Sequence, residues 1–340
     1  MPKLKNQRHI ADTWCRNMLA QYPSALEEAA MFCADKADFG AQWPDWCGFP
    51  MAASTAIVTR GTPLGLSTSL KLATSNYAAA RLTAAILWSR SKGVYKFDET
   101  LAQTLLSQPV DDKIPVESLL HLPEYCCYIE YPFNVRGKQY EGMFVWDECD
   151  PHTLVPELRL LFISQTDFFS FPIILTGGSI EDSMQALIES NISRTTPFHS
   201  FAKNIMPDKD ELNFWGGVIN MVLYLVSENR DMPVETIKRS KDSYGNPKNP
   251  RVWTVGYRIG RAIRAYQQSS EAAVEQHRTG DFSSPRPHIR RAHYPHFWTG
   301  PRNDESKRKL IVRWLAPIPV NWDGEVDLPT VMHLVQSDHE

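Results

Sequence analysis

YCCYIEYPFNVRGKQYEGMFVWDECDPHTLVPELRLLFISQTDFFSFPIIL, residues 125–175, is the stretch that decides the fold. Four aromatic and β-branched runs fill it: Tyr125–Tyr131, Tyr140–Glu148, Glu157–Ser164 and Phe168–Leu175. Gly137 and the pair Asp150-Pro151 supply turn chemistry between them. Residues of this kind suit a pleated, half-buried surface, so the runs predict strands of a mostly antiparallel sheet.

Upstream, the texture is helical. Residues 10–35 read as two short helices, parted at Tyr22-Pro23-Ser24. Trp43–Pro50 is a rigid aromatic turn that reads as a lid on the core. Thr62-Pro63 opens a long helix, with Leu70, Ala73, Tyr77, Ala80, Ala84, Leu87 and Trp88 on one face and Gly93 as its end. Val94–Phe97 is a short extended piece. Asp98-Glu99 starts a further helix to about Ser107; these two acids suit the helix dipole but point different ways, so they make a poor acid–base pair.

Downstream, Thr176-Gly177-Gly178-Ser179 leads into a helix over Ile180–Glu189, with Ser179 and Asp182 as N-cap and N3 acid. No Lys follows the glycine pair, so the spacing is not that of a P-loop. Trp215–Val226 is apolar nearly all round and predicts a buried helix. Lys238–Pro250 reads as a surface loop. The helix predicted over Thr254–Gln267 places Val255, Ile259, Ala262, Ile263 and Tyr266 inward and Arg258, Arg261 and Arg264 on another arc. Lys309–Leu315 alternates weakly and offers a strand to the sheet. The fold class is therefore α+β: a helical N-terminal part packed with a mostly antiparallel sheet, plus a C-terminal helix and a basic arm. The regions are 1–120, mainly helical; 121–320, sheet, helices and arm; and 321–340, an acidic, loosely held tail. This arrangement is compatible with one continuous domain.

Charge is sorted along the chain. Pro285–Arg313, PRPHIRRAHYPHFWTGPRNDESKRKLIVR, holds eight Lys/Arg against two acids, in a chain of 36 basic and 39 acidic residues. The remainder carries a balance of −9. His288, His293 and His296 interleave there with Tyr294, Phe297 and Trp298. Guanidinium groups grip phosphate and rings stack on unpaired bases, a mixture that suits RNA or an acidic peptide. Arg286, His288, Arg290, Arg291, His293, His296 and Trp298 are the candidate RNA- or partner-binding residues, with Arg258, Arg261 and Arg264 as a second basic strip. A second reading stays open, in which these arginines neutralise the body's own carboxylates and the rings cover the core.

No G-x-S-x-G, H-E-x-x-H, P-loop or dinucleotide fingerprint occurs. The three histidines have no Cys or carboxylate beside them to complete a tetrahedral set, so neither metal nor other cofactor is expected. His288 and His293 are the candidates for acid and base in a metal-free ribonuclease. Six cysteines without framework spacing point to a reducing compartment. No apolar run is long enough for a membrane span, and the start lacks a signal-peptide core, so the bacterial cytoplasm is the expected location.

Several of these segments together resemble a type V-A anti-CRISPR family carried by phages and plasmids. The likeness lies in RPHIRRAHYPHFWTG at 286–300, KLIVRW at 309–314, GVYKFDE at 93–99, LPEYCCYIE at 122–130, and YRIGR with RAYQQ at 257–268. Arg286, His288, Arg290, Arg291, His293 and Trp298 match the signature by position. The resemblance implies recognition of the nascent N-terminal peptide of a type V effector nuclease and loss of its messenger RNA. The implied partners are that peptide and the message or ribosome, with no membrane. The alternative is a sequence-selective RNA-binding protein or metal-free ribonuclease of a mobile element. The longer N-terminus, the acidic tail and inserted residues near Asn134–Tyr140 depart from the family pattern.

Overall fold

The structure is a computed structural model. It describes residues 8–34, 36, 43–60, 68–110, 114–120, 122–149, 154–175, 178–180, 182–183, 209–232, 247–277, 288–290, 292–301, 303, 307–315 and 318–320. A six-stranded mixed sheet lies between two helical layers. Its strands are β1 (Gly93–Phe97), β2 (Cys126–Val135), β3 (Lys138–Cys149), β4 (Pro156–Ile163), β5 (Phe168–Ile174) and β6 (Arg251–Val255), in the order β5-β4-β3-β2-β1-β6. β2 to β5 form an antiparallel meander, and β1 runs parallel to both of its neighbours.

The β2–β3 hairpin turns on Arg136 and Gly137, both left-handed (φ 52° and 79°), and the Asn134 side-chain oxygen accepts from Gly137 N–H at 3.1 Å. Two left-handed residues give the turn whose twist matches paired strands. Pro132 is accommodated because the register shifts between Glu130 and Phe133, a bulge that frees its position from the ladder.

Alternation sends side chains to two separate cores. Val94, Tyr128, Phe144, Trp146 and Leu161 pack against α1 (Ile10–Gln21), α2 (Ala25–Ala34), α3 (Met51–Thr59) and α4 (Thr68–Ser89). Tyr95, Ile129, Val145, Leu160 and Phe162 pack against α5 (Glu99–Leu106), α6 (Lys209–Val226) and α7 (Tyr257–His277). The middle of β2 and of β3 is therefore buried on both faces, which is why those strands read as continuous apolar runs rather than alternating ones. The aromatic turn is a lid as expected: Trp43, Cys47 and Phe49 are buried. Cys126 and Cys127 are buried free thiols, and burial pushes the Cys126 thiol up.

One helix is new and three expectations change. Met51–Thr59 forms α3, a helix its Ser/Thr-rich sequence does not announce; Glu148, on β3, accepts the Met51 N–H (2.9 and 3.0 Å) at its start. The long helix stops at Ser89, because Lys92 takes a left-handed conformation (φ 51°) and its N–H bonds back to Trp88. Gly93 is instead the first residue of β1, where a Cβ would meet the buried Glu124 carboxylate at 2.1 Å. Residues 251–255 form β6 rather than a helix start; Gly256 (φ 75°) breaks the chain, and α7 begins at Tyr257 and runs to His277. Lys309–Val312 does not join the large sheet. It pairs as β9 with β8 (His296–Thr299); Leu310 is buried, and Val312 packs into the second core where its carbonyl accepts the Glu228 N–H just past α6. β7 (His288–Arg290) pairs with β10 (Ile318–Val320).

Ser179 and Asp182 make the predicted reciprocal cap, each N–H to the other's side chain at 3.1 Å. The rest of the Ile180–Glu189 helix, the Thr62-Pro63 start, most of the Lys238–Pro250 loop and the 321–340 tail lie outside the described residues. No described helix is long and apolar enough to cross a membrane.

Helices α5 and α6 touch backbone to backbone through Gly217, whose added Cβ would lie 2.4 Å from Leu106 O and 2.6 Å from its Cα. Gly217→Ala is expected to destabilise by about 2 kcal/mol in urea unfolding, because overpacking outweighs alanine's better helix propensity. An unchanged midpoint would show that the two helices separate freely.

Candidate functional site

The C-terminal arm is built on α6. Tyr294 is buried and donates its hydroxyl to Asn220 O at 2.7 Å. Trp314 packs edge-on against Tyr224 at 5.1 Å. The Asn229 amide holds the Trp314 backbone at both ends, accepting its N–H at 2.9 Å and donating to its carbonyl at 2.6 Å. The described residues of the arm thus include two short strand ladders, with the β8–β9 hairpin flanked by these two anchors.

What this base displays is aromatic and cationic. Trp298 is 57% exposed and Phe297 41% exposed, both on β8. The Arg313 guanidinium lies over the Phe297 ring at 5.4 Å. Lys307 and Lys309 are exposed, and Arg308 Nε donates to Pro301 O at 3.3 Å. Glu228 approaches Lys309 at 3.7 Å and Arg313 at 3.9 Å. Contacts of that length at a surface contribute little.

The predicted residues separate into groups. Arg258 and Arg264 are each tied to a carboxylate that caps a helix, although the Arg258 side chain stays exposed. Asp231 accepts Arg258 Nε at 2.6 Å and the N–H groups of Arg258 and Ile259 at 2.7 and 3.3 Å, so it closes the α7 N-terminus. Asp98, the N-cap of α5, accepts two bonds from Arg264 at 2.8 and 3.0 Å, and its hydrogen bonds hold the Arg264 pKa up. Arg261 is exposed and makes no ion pair among the described residues. His293 is half-buried and bridges Leu315 through its backbone, while His296 is half-buried opposite Val312. His288 and Arg290 are placed by their backbone in β7, opposite Val320 and Ile318. His288 and His293 accordingly belong to different ladders. Arg286 and Arg291 lie outside the described residues.

Among the described residues no group of three or more His, Cys, Asp or Glu stands in a metal-binding arrangement. The Phe297–Arg313 pair is absent from the candidates chosen by sequence. Hairpin register carries it: Phe297 faces Ile311, which brings Arg313 alongside.

Comparison with known proteins agrees with this architecture. The model of the AcrVA2-like family, described as anti-CRISPR type V subtype A2, matches residues 95–322. Protein FinQ of Escherichia coli is 27% identical over 283 residues, covering 73% of this chain and 78% of its own length. The crystal structure of AcrVA2 superposes with a TM-score of 0.61 at 18% identity, over 92% of this chain and 99% of that one. A match across two thirds of the sequence, spanning the sheet, α6, α7 and the arm, means that the chain belongs to the anti-CRISPR type V subtype A2 family.

Proposed function

We propose that this chain lowers expression of a type V CRISPR effector by recognising its nascent N-terminal peptide and causing loss of its messenger RNA in the bacterial cytoplasm. The family match over residues 95–322 carries this reading, because it takes in both the sheet and the exposed aromatic hairpin. Rigid anchoring by Tyr294 and Trp314 supports it: a displayed pair of rings on a fixed base loses little entropy when a partner docks. The same hairpin favours a second reading, direct RNA binding, since Phe297 and Trp298 beside Arg313 can stack on unpaired bases.

A reporter carrying the effector's N-terminal codons separates the two. Under the first reading, co-expression lowers reporter mRNA, synonymous recoding leaves the effect intact, and a frameshift of the same nucleotides abolishes it. Unchanged mRNA, while a control inhibitor lowers it, ends the first reading. Loss on synonymous recoding turns the assignment to RNA.

Replacing Phe297 and Trp298 together by Ala is expected to weaken silencing about tenfold or more, in line with exposed aromatic anchors at interfaces. Stability should stay within about 0.5 kcal/mol if the rings are there for display. A large fall in melting temperature with the same loss of silencing would make them structural.

A further inference from the structure

A second aromatic and cationic cluster lies on the opposite helical layer, away from the arm. Arg81 on α4 places its guanidinium 4.7 Å from the ring centroid of Phe168 and 5.8 Å from that of Trp14. Tyr77, one turn earlier on α4 and 43% exposed, meets Phe168 edge-on at 6.2 Å. Arg81 is half-buried, and its Nε is shut off from solvent with no hydrogen-bond partner. No carboxylate pairs with it among the described residues. Burial holds its pKa down, opposed only by Tyr22.

An arginine half-removed from water without an anion is costly, and stacking on rings offsets only part of that cost. The surrounding cations are in a different state. Arg16 and Lys92 share Asp12 at 2.8 and 3.0 Å, Lys138 holds Asp167 at 2.5 Å, and Arg60 holds Glu28 at 2.5 Å. A nucleic-acid backbone needs a track of free cations, and among the described residues of this cluster Arg81 alone stands unpaired among rings. A single carboxylate with apolar neighbours matches the cluster better. Main-chain pairing along the adjacent edge strand is obstructed: Asp167 accepts the Phe168 N–H at 2.8 Å, and Pro172 has none. Recognition therefore runs through side chains.

We propose that Arg81, with Trp14, Phe168 and Tyr77, forms a subsite that captures the carboxylate of an acidic residue set among apolar residues in a peptide. Arg81 donates a two-pronged pair of hydrogen bonds to the carboxylate, and the flanking apolar side chains lie on Tyr77 and Phe168. Choice of a peptide as occupant rests on the peptide-reading function proposed above.

The test uses purified full-length protein and an array of random decapeptides. Expected binders are enriched in one Asp or Glu flanked by aliphatic or aromatic residues. Changing that acid to its amide, or Arg81→Gln in the protein, weakens binding about tenfold or more. Tyr77→Ala removes an exposed ring without opening the core, and weakens the same peptides severalfold. No acidic enrichment, equal enrichment by the Arg81→Gln protein, or preference for a ten-nucleotide single-stranded RNA overturns the subsite. If Arg81→Gln does not fold, unchanged affinity of Tyr77→Ala overturns it. Displacement by free glutamate as effective as by peptide assigns the cluster to small carboxylates and removes the peptide. Neither ribosome nor message is present, so failure here leaves the mRNA-loss function standing, and a failed reporter leaves these affinities intact.

Discussion

Trp215→Ala should cost about 3–5 kcal/mol, the range for removing a large buried ring. Trp215 is 1% exposed on α6 and stacks flat on Phe171 at 4.0 Å with 6° between the rings. Phe169 lies near-parallel at 6.0 Å, and Phe162 and Phe214 meet it edge-on at 5.8 and 5.1 Å. This one side chain ties α6 to β4 and β5, so its loss opens a cavity that its four aromatic neighbours cannot fill. Against a total stability of about 5–15 kcal/mol, the variant should be largely unfolded at moderate urea. Trp215→Phe is the control. The indole N–H is buried without a partner, so losing it offsets part of the lost area, and the cost should stay below about 2 kcal/mol. A Trp215→Ala midpoint within about 1 kcal/mol of wild type would show that the stack contributes little.

The second large effect is one of pH. Glu148 is 3% exposed, and its carboxylate accepts from Met51 N–H, Cys149 N–H (3.1 Å) and the Trp146 indole (3.2 Å). Burial pushes its pKa up to about 7, against the opposing pull of Arg159 and of these donors. The unfolded chain releases this proton near pH 4.5, and the folded chain holds it to about 7. Between those values the native state binds more protons than the unfolded one. The contribution of Glu148 to stability is therefore full below pH 4.5 and falls as pH rises to 7, by up to about 3 kcal/mol. Glu148→Gln copies the protonated form. It should match wild type at pH 5 and exceed it by about 1–3 kcal/mol at pH 8; the lower figure applies because one amide oxygen serves the three donors less fully. Parallel pH profiles for the two proteins would refute the assignment.

The strands β2 to β5 were legible because burial on both faces leaves a dense aromatic record, and the Ser179–Asp182 cap because it is local. Features that depend on distant partners were not legible. The start of α3 is satisfied by a carboxylate 97 positions away, which no window of sequence contains. β6 has five residues and pairs in parallel with β1, so it lacks the hairpin turn that marks the other strands. At the candidate site, sequence supplied the charge excess but not its disposition. Arg258 and Arg264 pair with Asp231 and Asp98, 27 and 166 positions away, and the exposed rings are Phe297 and Trp298. Arg81 gave no signal because its rings come from α1 and β5.

The position of β1 sets a timetable for synthesis. Gly93 meets its β6 partner Arg251 only after 158 further residues have been made, on the order of 10–30 s at bacterial elongation rates. Through that interval the first helical layer is complete while one border of the sheet stays unzipped, so polypeptides interrupted before β6 should be protease-sensitive and prone to stick together.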